Sequence, residues 1–184
     1  MSEYDLLCRI LDREFLSPSQ EWMIESKGTT HKPQKVQIDK TGKKNISHTL
    51  YRFDLDDKEF LPFFNKSNDA PKGLRKFCDY VLLVEWNGKP YVMLIEMKRG
   101  APGNAEKQLK ASQTFMEFLY TSAERLHNDF GEDSFNRNNI VIRKVKLKKC
   151  KSNKLLTKGG GVVDKTQEFI PYDSVGFFPI ASFI

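Results

Sequence analysis

The sequence predicts a mixed α/β, or α+β, domain in which a mixed central β-sheet is flanked by helices. Three observations predict it. The 184 residues, 39% of them apolar and 14 of them phenylalanine, suit one hydrophobic core. Two long runs of β-forming residues meet at Asn87-Gly88, the strongest short hairpin signal a sequence carries. A helical periodicity and a further β run follow, as when a helix crosses over a sheet.

Residues 4–15 read as a short amphipathic helix with Leu6, Leu7, Ile10, Leu11 and Phe15 on one stripe, stopped by Ser17-Pro18. Residues 34–38 and 47–54 read as strands around a turn at 40–45, and 66–73 as a loop. The hairpin comprises 77–85 and 91–98. The run Gly100-Ala-Pro-Gly-Asn104 breaks the second strand, and Asn104 is a suitable N-cap for a helix over 105–126. On that helix Leu109, Ser112, Met116, Leu119, Ala123 and Leu126 recur at three-and-four spacing. Residues 140–147 read as a further strand, Gly159-Gly160-Gly161 as a loop tip, and the Phe- and Pro-rich end as a segment that returns to the sheet or docks on the core. No internal repeat is visible, and a single domain over 1–184 is expected.

Charged residues make up 29% of the chain, too few for wholesale disorder. No run reaches the 18 apolar residues of a membrane span, and the first residues lack the pattern of a signal peptide, so a cytoplasmic, membrane-free protein is expected. Cys8, Cys78 and Cys150 are odd in number and widely spaced, which suggests reduced thiols rather than a disulfide framework or a zinc cluster. The formal net charge is +6, unevenly spread. Nine Lys or Arg residues stand against the single acid Asp164 over 143–165, and six lysines against Asp39 over 27–44. Two basic blocks on an otherwise acidic chain suggest a polyphosphate partner; a solvated face is the alternative.

The hairpin supports a geometric deduction. With Asn87 and Gly88 as the loop, paired residues sum to 175, so Val81 faces Leu94, Leu83 faces Val92, and Asp79 faces Glu96. Lys98 lies two residues on, on the same face as Glu96. Facing carboxylates have Cβ atoms roughly 4.5–5.5 Å apart and repel, so a cation between them is expected, and such oxygen ligands suit Mg²⁺ or Mn²⁺. A solvated charge cluster fits less well, because both strands are nearly continuous apolar runs, as in a sheet covered on both faces. Glu25-Ser26-Lys27 repeats the Glu-x-Lys spacing without a hairpin or an opposing acid.

Asp79, then Glu96 after a gap of sixteen residues in the run Leu94-Ile95-Glu96-Met97-Lys98, and a helix carrying Gln108-Leu109 together resemble the PD-(D/E)XK nuclease superfamily, whose fold is the restriction-endonuclease-like one. The resemblance spans 74–126, with 140–147 as a further core strand, and departs from the pattern at Cys78, where a proline commonly precedes the first acid. It implies an αβββαβ core and Mg²⁺-dependent hydrolysis of phosphodiester bonds. It also maps metal-binding acids onto Asp79 and Glu96, a catalytic lysine onto Lys98 and a supporting role onto Gln108.

The chemistry of each residue agrees with that mapping. Asp79 and Glu96, with the Met97 backbone carbonyl, suit a divalent ion that polarises a phosphate and acidifies water. Lys98 suits orientation of that water or stabilisation of charge on phosphorus. Gln108 falls in the first turn of its helix, where a phosphate is favoured. Glu14, and after it Glu21, is the candidate for a further metal-ligating acid, which this superfamily often takes from its first helix. Lys144, Lys146, Lys148, Lys149 and Lys151 are the candidates for nucleic-acid contacts.

His31, His48 and His127 lack the spacing of a helical zinc pair, and neither a P-loop nor a Gly-x-Ser-x-Gly motif is present. Trp22 and Trp86 suit base stacking but equally a core or rim. The expected function is therefore a metal-dependent endonuclease acting on DNA rather than RNA, in defence or DNA processing, with a homodimer or partner subunit left open. The alternatives are a catalytically inactive nuclease-fold module for nucleic-acid binding or assembly, and a plain interaction protein.

Overall fold

The computed structural model describes residues 2–25, 34–53, 76–98, 104–130, 135–149, 163–174 and 176–184. Helix α1 spans Glu3–Ile10, with Ser2 and Asp5 forming a reciprocal capping box. The helix expected over 4–15 is thus divided. Leu11 turns to extended backbone, and the Asp12 carboxylate accepts the Glu14 N–H to start a separate 3₁₀ turn, Arg13–Phe15.

Among the described residues eight strands follow: β1 Trp22–Glu25, β2 Gln34–Asp39, β3 Ile46–Arg52, β4 Tyr80–Trp86, β5 Lys89–Lys98, β6 Val141–Lys149, β7 Ile170–Ser174 and β8 Phe177–Pro179. Helix α2, Ala105–Phe130, joins β5 to β6. The central sheet has the order β3-β4-β5-β6-β7; β3, β4 and β5 are antiparallel, whereas β6 and β7 continue it in parallel. A three-stranded sheet, β1-β2-β8, forms a second layer. The expected turn over 40–45 exists, with Gly42 and Asn45 at positive φ, but β2 and β3 diverge from it into different sheets. The Phe- and Pro-rich end does both things expected of it: β7 extends the central sheet and β8 the small one. The predicted loops over 66–73 and 159–161 lie outside the described residues.

One face of the central sheet is covered by helices. Leu6, Leu7 and Leu11 with Leu109, Met116 and Ala123 pack on Tyr51, Val81, Leu83, Val92 and Leu94. The other face is covered by the small sheet, where Met23, Val36, Ile38 and Phe178 meet Leu50, Leu82, Val84, Met93, Ile95, Val145 and Leu147. Among the described residues the central sheet is therefore mixed and buried on both sides, by helices on one face and by a β layer on the other. Burial on both faces explains why β4 and β5 read as unbroken apolar runs. No described helix is long and apolar enough to cross a membrane.

Candidate active site

The β4–β5 turn fixes the register. Asn87 and Gly88 have φ of 50° and 72°, the left-handed pair that a tight two-residue hairpin needs. Val81 accordingly pairs with Leu94 and Leu83 with Val92, as deduced from the sequence. The ladder ends at Tyr80–Ile95, one step before Asp79 and Glu96. By strand alternation Asp79, Glu96 and Lys98 all project to the helix-covered face, beyond Val81 and Leu94.

There the side chains take over from the ladder. The Asp79 N–H donates to Glu96 Oε2 at 3.2 Å, and the Met97 N–H donates to Asp79 Oδ2 at 2.6 Å. Both carboxylates are buried, Glu96 to 1% exposure and Asp79 to 9%. The Lys98 ammonium forms an ion pair with Glu96 Oε1 and donates to Gln108 Oε1 at 3.2 Å. Gln108 Nε2 in turn donates to the Phe77 carbonyl at 3.1 Å, so the first turn of α2 is tied both to the lysine and to the chain just before Asp79. The structure thus brings Asp79, Glu96, Met97, Lys98 and Gln108 together.

Ser112 completes the support, and sequence reasoning placed it only on the apolar stripe of the helix. Its hydroxyl accepts the buried Cys78 N–H at 2.7 Å and donates to the Gln108 carbonyl at 3.0 Å. A hydroxyl among Leu109, Met116 and Leu119 was the available signal, because a fully buried polar group needs a partner. Burial pushes the Cys78 thiol up to about 12; the Ser112 hydrogen bond opposes this, and the negative charge of Glu96 and Asp79 adds to it. That thiol is inert at neutral pH and serves as packing.

Other candidates lie elsewhere. Glu14 is exposed in its 3₁₀ turn, and among the described residues no three His, Cys, Asp or Glu side chains gather as a metal site. Glu21 is exposed next to the small sheet, its carbonyl accepting the Ile38 N–H at 2.8 Å. His48 is hydrogen-bonded to the Gln20 carbonyl at 2.7 Å. His31, and the His127 side chain, lie outside the described residues.

The basic segment is split by alternation along β6. Lys144 and Lys146 face α2, donating to Gln113 Oε1 at 2.7 Å and Glu106 Oε1 at 2.9 Å. Arg143 instead reaches the Phe183 carbonyl at 3.4 Å. Lys151 and the side chains of Lys148 and Lys149 lie outside the described residues.

The donor set suits a hard divalent cation. Two buried carboxylates are adjacent, and the Met97 carbonyl leaves β5 on the same edge as its N–H, toward Asp79. Every prospective ligand is an oxygen, the preference of Mg²⁺ and Mn²⁺. No family model, curated protein or solved structure matches the chain.

Proposed function

We propose that this protein is a metal-dependent nuclease that hydrolyses phosphodiester bonds, with DNA as the substrate and Mg²⁺ or Mn²⁺ as the cofactor. The observation that carries the proposal is the convergence of the buried Asp79 and Glu96 with the half-buried Lys98 and Gln108 at the end of the β4–β5 hairpin. Helix α1 comes first and, after β1 and β2 of the small sheet, β3, β4 and β5 lead into α2 and then β6; that central order supports the restriction-endonuclease-like core that the motif resemblance implies.

Asp79, Glu96 and the Met97 carbonyl would hold the ion, which when bound supplies Lewis acidity toward the phosphate and a lowered pKa for water. The protein's own contribution is to hold these groups in place. Cross-strand hydrogen bonds keep the two carboxylates side by side despite their repulsion. Lys98, held between Glu96 and Gln108, presents an ammonium at the rim to orient water or to stabilise charge on the phosphoryl oxygens. The apolar strands beneath exclude water and strengthen each electrostatic contact.

The test is a cleavage screen on supercoiled, linear and single-stranded DNA and on RNA, with Mg²⁺, Mn²⁺ or EDTA. Divalent-dependent cleavage of DNA that is lost in Glu96→Ala supports the proposal. No cleavage under any condition, or undiminished cleavage by Glu96→Ala, overturns it, and binding without turnover identifies the inactive module instead.

A further inference from the structure

Next to the acid pair, three lysine ammonium groups converge on one aromatic ring. The Nζ atoms of Lys144, Lys110 and Lys146 lie 4.8, 5.5 and 5.6 Å from the centroid of Phe169. Lys144 and Lys146 come from β6, Lys110 from α2, and Phe169 from the residue just before β7. Lys146 is the register partner of Glu96 across β5–β6, so the cluster begins one strand away from the acid pair on the same face of the sheet.

Among the described residues, two acids meet these lysines. Glu168 Oε1 is 3.1 Å from Lys144 and 3.9 Å from Lys110, and Glu106 Oε1 is 2.9 Å from Lys146. The partners differ in burial. The side chains of Lys144 and Lys146 are 12% and 21% exposed, whereas those of Glu168 and Glu106 are 59% and 53% exposed. The β6 ammonium groups are therefore fixed by the fold, and the carboxylates lie over them on the solvent side.

Each contact returns little by itself. Exposed cation–π contacts and exposed ion pairs are both weak in water. Three crowded ammonium groups with carboxylates able to swing into water suit an incoming anion that offers several oxygens. A phosphate has that chemistry, and lysine meets it as a compact point charge.

The geometry points to Lys110, Lys144 and Lys146 around Phe169 as a phosphate subsite. It holds the nucleic-acid strand by a backbone phosphate neighbouring the one offered to Asp79 and Glu96, and the Glu168 carboxylate occupies the phosphate position until the strand displaces it. The identity of the strand rests on the nuclease proposal; the anion site does not.

Metal-free binding separates the two. In EDTA, with labelled single-stranded and duplex DNA and fluorescence anisotropy, Lys144→Met should weaken binding roughly tenfold and lower the slope of log K against log salt by about one. Lys146→Met should do the same, which keeps the test open if one variant folds poorly. Glu168→Gln, at an exposed position, should bind DNA several-fold more tightly than wild type, the opposite sign from a structural ion pair. Unchanged affinity and slope in both lysine variants with no phosphate-dependent rise in Tm that Lys144→Met loses, or weaker binding by Glu168→Gln, overturns the subsite. Inorganic phosphate that raises the Tm of wild type but not of Lys144→Met, with DNA affinity equal in the two, overturns the strand as occupant and assigns free phosphate. Binding that follows these expectations without cleavage in Mg²⁺ overturns the nuclease proposal and leaves the subsite standing.

Discussion

Asp79 and Glu96 are joined across the β4–β5 hairpin by a hydrogen bond from the Asp79 N–H to Glu96 Oε2, 3.2 Å long. The bond in the other direction runs from the neighbouring Met97 N–H to Asp79 Oδ2. Each carboxylate thus takes the place of a backbone acceptor just where the ladder ends. Buried carboxylates that face one another repel, and backbone donors aimed at both lower the cost of keeping them ionised. Hydrophobic burial of both hairpin faces supplies the rigidity that holds the pair in register.

The first expectation concerns this pair. Asp79→Asn and Glu96→Gln preserve shape while removing a charge each, and cleavage should fall by on the order of a hundredfold or more. Excess Mn²⁺, which accepts amide ligands better than Mg²⁺, should restore part of the activity of Glu96→Gln. Lys98→Met should lose a comparable factor without Mn²⁺ rescue, because its ammonium is not a ligand. Initial rates in the two metals, with circular dichroism to verify folding, check all three; full activity in Glu96→Gln would remove the pair from the chemistry.

Ser112 gives the second. Ser112→Ala leaves the buried Cys78 N–H without its 2.7 Å acceptor, which should cost about 1–3 kcal/mol in urea unfolding. Asp79 follows Cys78 directly, so the rate should also fall with little change in KM, as expected of a positioning residue. Loss of stability with kcat unaltered would confine Ser112 to packing.

The hairpin and its facing acids were legible in the sequence because a two-residue Asn-Gly turn determines the pairing, and pairing determines the face. Helix α2 was legible from its apolar period, although it runs to Phe130 rather than 126. The small sheet was not. Strand β1 is four residues long, β8 is three, and β2 pairs with β8 from the far end of the chain, so no local pattern encodes the layer. The lysine cluster was only half legible: a run of basic residues does not show which ones strand alternation turns toward Phe169, nor that Lys110 joins them from the helix.

The third expectation is a pH dependence at the edge of the central sheet. Burial lowers the pKa of His48 from its ordinary 6.5, against the opposing effect of its bond to the Gln20 carbonyl. Above pH 6.5 the ring is neutral in folded and unfolded chains, and its contribution to stability is complete. Below 6.5 the unfolded chain takes up a proton that the folded one resists, so stability falls toward the lowered folded value, by at most about 1.4 kcal/mol per pH unit. Urea unfolding of wild type and His48→Gln at about pH 8 and about pH 5 measures this. The wild type should lose more stability on acidification than the variant, and equal losses would show that the histidine titrates normally.

The last expectation separates the acid pair from its look-alike. Glu25-Ser26-Lys27 has the same Glu-x-Lys spacing as Glu96-Met97-Lys98, so a motif search cannot tell them apart. Their places in the fold differ. Glu25 ends β1 opposite Gln34, in the small sheet that covers the opposite face of the central sheet from α2. Glu96 lies within the helix-covered layer, bonded to the Asp79 N–H and to Lys98. Spacing alone sets which residues alternate along a strand; only the cross-strand partner turns that alternation into a site. Glu25→Gln should therefore keep cleavage within about twofold of wild type, and stability within about 0.5 kcal/mol, as for most substitutions away from a functional cluster. Parallel assays of Glu25→Gln and Glu96→Gln, each at matched fractions folded, make the comparison. If Glu25→Gln abolishes cleavage while Glu96→Gln remains active, the chemistry belongs to the small sheet, and the facing acids of the hairpin are structural.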